Sequence, residues 1–186
     1  MKFFKKITVL SALTALSFQL SAQDTRTDNH QITITVPNVA LLDLETSGAR
    51  NFTAAYTATA EAGDPLTAPA TNNALWLNYS SIIPSTVTSR RVDVKASALV
   101  AGVDISVTAG TSATGFGTKG TPTAPVTLTT TDQPIINTIG SAYTVSGAAK
   151  GHQLTYGFTV LDANYGNLRA NTTGTAVTVT YTLVDN

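Results

Sequence analysis

Apolar and polar side chains alternate with a period of two along most of this chain. The clearest run is the last one, "TGTAVTVTYTLVDN", in which Val177, Val179, Tyr181 and Leu183 alternate with Thr178, Thr180 and Thr182. Strict alternation over that length predicts a half-buried β-strand. Near the other end, "HQITITVPNVALLDLE" sets Ile32, Ile34 and Val36 on one side, with Thr33 and Thr35 between them. Pro37 then interrupts, since proline has no N–H to give a ladder and belongs at a strand end, an edge or a bulge. The run resumes at Val39, and the doublet Leu41–Leu42 shifts its parity, which predicts a bulge or a change of sheet.

Further alternating stretches follow. "NFTAAYT" offers Phe52, Ala54 and Tyr56, and "ALWLNYS" offers Leu75, Leu77 and Tyr79 with Trp76 on the opposite face. "RRVDVKAS" sets Val92, Val94 and Ala96 against Arg91, Asp93 and Lys95. "VDISVTA" carries Val103, Ile105 and Val107, and "HQLTYGFTVL" carries Leu154, Tyr156, Phe158 and Val160. "VTLTTT", "PIINTI" and "AYTVS" are shorter candidates. "EAGDPLTAPATNN" and "GTSATGFGTKGTPTAP" read as loops, the second long enough to suggest a functional tip, and "DANYGN" as a turn. Beyond position 22 no segment sustains the apolar period of a helix. About ten short strands with Gly, Pro and Asn between them predict an all-β fold: an antiparallel β-sandwich, Ig-like or pilin-like, in a single domain over 23–186.

The stretch 1–22 differs. Lys2, Lys5 and Lys6 precede an apolar run from Ile7 to Leu20, and small residues Ser21 and Ala22 follow. That is the layout of a secretory signal peptide, with cleavage expected after Ala22. The run is shorter than the ~20 residues of a membrane span. The mature chain is expected to run from Gln23 to Asn186 with no membrane span, and to be secreted or held in the periplasm or at the cell surface. Its charge becomes −3, from eight Lys+Arg (11 − 3) against 11 Asp+Glu, which offers no basic footprint for nucleic acid. There is no cysteine, so stability must come from sheet pairing and burial or from contact with other copies. Thr is the most frequent residue type after position 22, which suits strands whose outer face stays wet.

Catalytic chemistry is hard to find. His30 and His152 each open a predicted strand, flanked by Gln, with no acid or nucleophile beside them. Nucleophile elbows, zinc-protease motifs and phosphate loops are missing from the sequence. Asp43 and Glu45 share a strand face, as do Asp93 and Lys95, and such pairs read as solvated faces. The "DANYGN" stretch has Asn167 where a calcium loop needs its Gly and Thr173 where it needs its Glu, so a turn explains it better. The chain is read as a non-enzyme, with no catalytic residue, metal site or cofactor. Trp76 is expected in the core by default. On the alternative of a glycan platform, Trp76 would be joined by the loop aromatics Phe116 and Tyr165, with Tyr143 also near a turn.

The two terminal stretches "ITITVPNVALLDLE" and "AVTVTYTLVDN" together resemble the spore-coat-U group of chaperone–usher pilins, in which an early extended strand leads into the sandwich and the last strand carries a Tyr. The chain departs from that group in lacking its cysteine pair near the start. The resemblance implies strand exchange between subunits. Residues 24–36 would be the donated segment, with Ile32, Ile34 and Val36 filling pockets, and Val177, Val179 and Tyr181 of the last strand would border the acceptor groove. The simpler topology has both terminal strands inside one complete sandwich. Two functions follow as expectations. One is a structural or adhesive surface subunit whose partners are copies of itself or other surface subunits. The other is a secreted carbohydrate-binding module whose partner is a glycan. An eight-stranded outer-membrane barrel fits poorly, because outward positions are mostly Thr, Ser and charged residues.

Overall fold

The structure is a computed structural model that describes residues 26–186. The proposed signal peptide lies outside the described residues. The chain divides into a leading unit that ends at Thr35 and a second, folded unit, Val36–Asn186.

Every strand pair of the folded unit is antiparallel, and its one described helical element is a 3-10 turn at Asp162–Asn167. Its nine strands are β1 (Val39–Thr46), β2 (Asn72–Ile82), β3 (Arg90–Ala96), β4 (Asp104–Ala109), β5 (Phe116–Pro122), β6 (Val126–Thr127), β7 (Gln133–Tyr143), β8 (His152–Thr159) and β9 (Val179–Asp185). All belong to one hydrogen-bonded sheet, in the order β6-β4-β8-β2-β7-β3-β9, with β1 on β2 and β5 on β7. β2 is the joint. It pairs with β1 over Leu75–Ile82, and with β8 up to Leu77 but with β7 at Ser80 and Ser81. The two wings beyond that handover bring their apolar faces together in a sandwich-like arrangement. Tyr156 of β8 and Tyr181 of β9 meet across the middle, hydroxyl to hydroxyl, at 2.6 Å.

The core is what the alternation predicts. Leu75, Leu77 and Tyr79, then Val92, Val94 and Ala96, then Leu154 and Tyr156 are buried. Burying a Val, Leu, Ile or aromatic side chain contributes about 1.5–3 kcal/mol. With no cysteine, this repeated burial and the ladders hold the fold.

Several expectations need correction. Residues 31–36 form no strand and carry no ladder. The expected bulge at Leu41–Leu42 does not form: β1 pairs with β2 in unbroken register, Leu42 and Leu44 packing inward and Leu41 pointing to solvent. "NFTAAYT" is irregular, with a single bridge from Thr57 to Thr67. "PIINTI" and "AYTVS" are one strand, β7, with an extra residue opposite β3 between Ile136 and Ile139, where Thr138 takes φ 57°. That bulge keeps both isoleucines buried while breaking the alternation.

The Gly-rich stretch expected to be a loop is instead strand β5. Its glycines are the reason. Gly117 has φ +89°, and a Cβ there would lie 2.2 Å from the Ser141 carbonyl oxygen; at Gly120, φ +76°, it would lie 2.5 Å from that of Asn137. Only residues without a side chain let β5 lie this close to β7 in that conformation.

Candidate functional site

Three groups of side chains stand out: the terminal strands, a buried polar cluster, and an aromatic row on the outer face.

Ile32 and Ile34 in the leading unit, and Val36 at the start of the folded one, are all exposed, Ile34 by 81%. They are the alternating apolar residues of a segment that carries no ladder. Within the folded unit, β1 pairs only with β2 and β9 only with β3 among the described residues, so each has an unpaired outer edge. Val179, Tyr181 and Leu183 pack on the core from β9 yet stay partly exposed. Val177, expected in the same strand, lies just ahead of β9 but also packs on the core. Leu42 and Leu44 are the partly exposed counterparts from β1.

One end of this pair of edges is fastened by Arg90, which is 1% exposed. Its guanidinium donates to Asp185 Oδ1 (2.6 Å) on β9, to the Val39 carbonyl on β1, to Asn38 Oδ1 (2.8 Å), and to Ser81 Oγ (3.2 Å) and the Ile82 carbonyl (3.4 Å) on β2. A planar fork of N–H groups suits five acceptors spread over three strands, where a lysine could not. Sequence reasoning passed over Arg90. The available signal was parity: it lies two residues before Val92, on the inward side of β3.

The polar cluster is centred on His152, which is fully buried at the start of β8. Its Nδ1–H donates to the Gly110 carbonyl (2.8 Å), and its Nε2 lies 3.0 Å from the Tyr79 hydroxyl. That hydroxyl donates to the Lys119 carbonyl, while Lys119 Nζ donates to the carbonyls of Ser112 (2.9 Å) and Thr114 (2.8 Å). The Tyr79 and His152 rings stack at 5.6 Å. Burial lowers the His152 pKa from its ordinary value; hydrogen bonds to the Gly110 and Lys119 backbone oppose this, and the Lys119 charge adds to it. Burial also raises the Tyr79 pKa. The cluster ties β2, β5 and β8 together. Among the described residues no group of three or more His, Cys, Asp or Glu could hold a metal ion. No described helix is long and apolar enough to cross a membrane.

The expected aromatic platform is split up. Trp76 is half-buried on the outer face of β2, not in the core, because register places it between Glu45 of β1 and Gln153 of β8 while Leu75 and Leu77 face inward. Tyr165 stands on the 3-10 turn, where its hydroxyl accepts from the Leu66 amide (3.3 Å). Phe116 opens β5 and lies against Tyr143, ring centroids 6.1 Å apart. Phe116 and Tyr143 are thus neighbours, while Trp76 and Tyr165 belong elsewhere. Asp43 is on the outer face of β1 and pairs with Arg50 at 3.4 Å, both exposed. Asp93 is buried beside Arg91 (2.8 Å), and Lys95 reaches Asp132 (2.9 Å).

No protein-family model matches the chain, and no curated protein or solved structure matches it either.

Proposed function

We propose that this is an exported structural or adhesive subunit of the cell surface, which associates with copies of itself by strand exchange. One observation carries this: a segment with alternating apolar residues, Ile32, Ile34 and Val36, stands exposed and without a ladder. An exposed alternating segment without a ladder can gain both backbone hydrogen bonds and apolar burial by pairing with an open strand edge. The unpaired outer edges of β1 and β9, with half-covered apolar residues behind them, are the complementary feature on another copy. Pairing there would cover Ile32, Ile34 and Val36, with each apolar side chain contributing about 1.5–3 kcal/mol if fully buried. Export is supported by the basic, apolar and small-residue pattern over positions 1–22.

The test is Ile34→Asp. The side chain is exposed, so the folded unit should keep its melting temperature, while assembly detected by light scattering is lost. Assembly that proceeds unchanged in Ile34→Asp rules out the donor role of the 31–36 segment.

A further inference from the structure

A second surface lies on the outer face of the sheet. Phe116 pairs with Tyr143, Tyr143 with Ser80, and Ser80 with Leu41, so these four side chains form one row across β5, β7, β2 and β1. Directly opposed residues share a sheet face. Phe116 is 75% exposed, and Leu41, Tyr143 and nearby Val145 are exposed too. Ser80 forms the notch between them. Two shallow depressions of about 340 and 370 Å³ meet there, both lined by Ser80 and Tyr143. One extends toward Phe116 and Ser141, the other toward Asp43, Glu45 and Ser146.

We propose that this row is a binding site for a neutral polysaccharide. Three observations favour that class of ligand. Ser80 and Tyr143, the middle of the row, lie on strands laddered on both sides, so no strand can be added there and recognition at the middle must come from side chains. The apolar ground is aromatic, and ring faces suit the C–H faces of pyranose units. The polar rim is hydroxyl and carboxylate: Ser80, Ser141 and Ser146 with Asp43 and Glu45, and no Lys or Arg lines either depression. Asp43 is partly neutralised by Arg50 at 3.4 Å, and the remaining acceptors, Glu45 and the serine hydroxyls, match a ligand rich in O–H donors better than an anionic one. The sugar rings stack on Tyr143 and Phe116, and their hydroxyls donate to Asp43 and Glu45.

The site is independent of strand exchange, and affinity electrophoresis of the whole protein tests it. Gels would contain hydroxyethylcellulose, laminarin or galactomannan, with alginate as the anionic control. At least one neutral polysaccharide should retard the protein. Phe116→Ala and Tyr143→Ala should weaken the retardation roughly tenfold each, the equivalent of one lost stacking contact. Tyr143→Phe and Trp76→Ala should retain it, as should Ile34→Asp, which separates this site from the assembly strand. Phe116 is exposed enough that its replacement leaves the fold intact, as an unchanged melting curve would verify. The proposal is overturned if no neutral polysaccharide retards the protein, if alginate alone does, or if Phe116→Ala binds normally. It is equally overturned if Tyr143→Ala changes only the oligomer size, which would make the row a contact between copies.

Discussion

Replacing Arg90 by Met keeps an apolar stem of similar length and removes the guanidinium. Four acceptors, the Val39 and Ile82 carbonyls, Asn38 Oδ1 and Ser81 Oγ, then lose a donor; Ser81 is buried and the two carbonyls belong to half-buried residues, while Asn38 is exposed. Asp185 loses its cation as well, but its side chain is 54% exposed and can be rehydrated. Breaking a fully buried pair costs about 3–5 kcal/mol, and the rehydration of Asp185 and Asn38 holds this case to no more than the lower end, at about 3 kcal/mol. For a domain of this size each kcal/mol moves the melting temperature by about 2–4 °C, so Arg90→Met should melt about 6–12 °C lower. Asp185→Asn should cost only about 1 kcal/mol, because four of the five acceptors remain served. Arg90→Lys should fall between, since an ammonium cannot span three strands. Differential scanning calorimetry reads all three. A melting temperature for Arg90→Met within about 2 °C of the parent refutes the clamp. Equal losses in Arg90→Met and Asp185→Asn would place the energy in the ion pair alone.

The other predictions concern the middle of the fold. Tyr181→Phe should cost about 1 kcal/mol by leaving the buried Tyr156 hydroxyl without its partner, whereas the Tyr156→Phe/Tyr181→Phe double variant should recover most of that loss; a urea-unfolding double-mutant cycle checks it. Gly117→Ala should destabilise by about 2 kcal/mol and lift β5 from β7, readable as lost amide protection along Phe116–Pro122, and normal protection there would contradict the steric account. His152 has a lowered folded pKa, so the unfolded chain takes up this proton first as pH falls through its ordinary value of about 6.5. Stability should therefore fall with pH below that value, by up to about 1.4 kcal/mol per pH unit until His152 protonates in the fold, and should be flat above it. His152→Gln should flatten that slope between pH 7 and 5, and an unaltered slope would show that other groups set it.

The sequence displayed most of the sheet and little of the chemistry on it. Alternation located β2, β3, β4, β8 and β9, because each has one face in the core and one in water. It failed where a different constraint ruled. β5 carries almost no apolar pattern, since its glycines are there to approach β7 rather than to fill a core. β7 looked like two strands because its bulge puts Ile136 and Ile139 on one side across an odd spacing. The segment 31–36 has an ideal pattern and no ladder, because pairing needs a partner that alternation cannot supply. Trp76 was expected inside on size alone, although its parity against Leu75 and Leu77 already put it outside. Phe116 and Tyr143 lie 27 positions apart in sequence and meet only through the β5–β7 register, so their row with Ser80 and Leu41 could not be read from any local motif.

The clamp also accounts for a C-terminal strand that does not fray. Asp185 is held by Arg90, Asn186 N–H donates to the Ser89 carbonyl, and β9 stays pinned along β3 while its outer edge remains open. Whether that open edge is used is decided most directly by light scattering coupled to size-exclusion chromatography of residues 23–186 over a wide concentration range. Strand exchange predicts oligomers that grow with concentration. A single species of monomer mass at every concentration contradicts it.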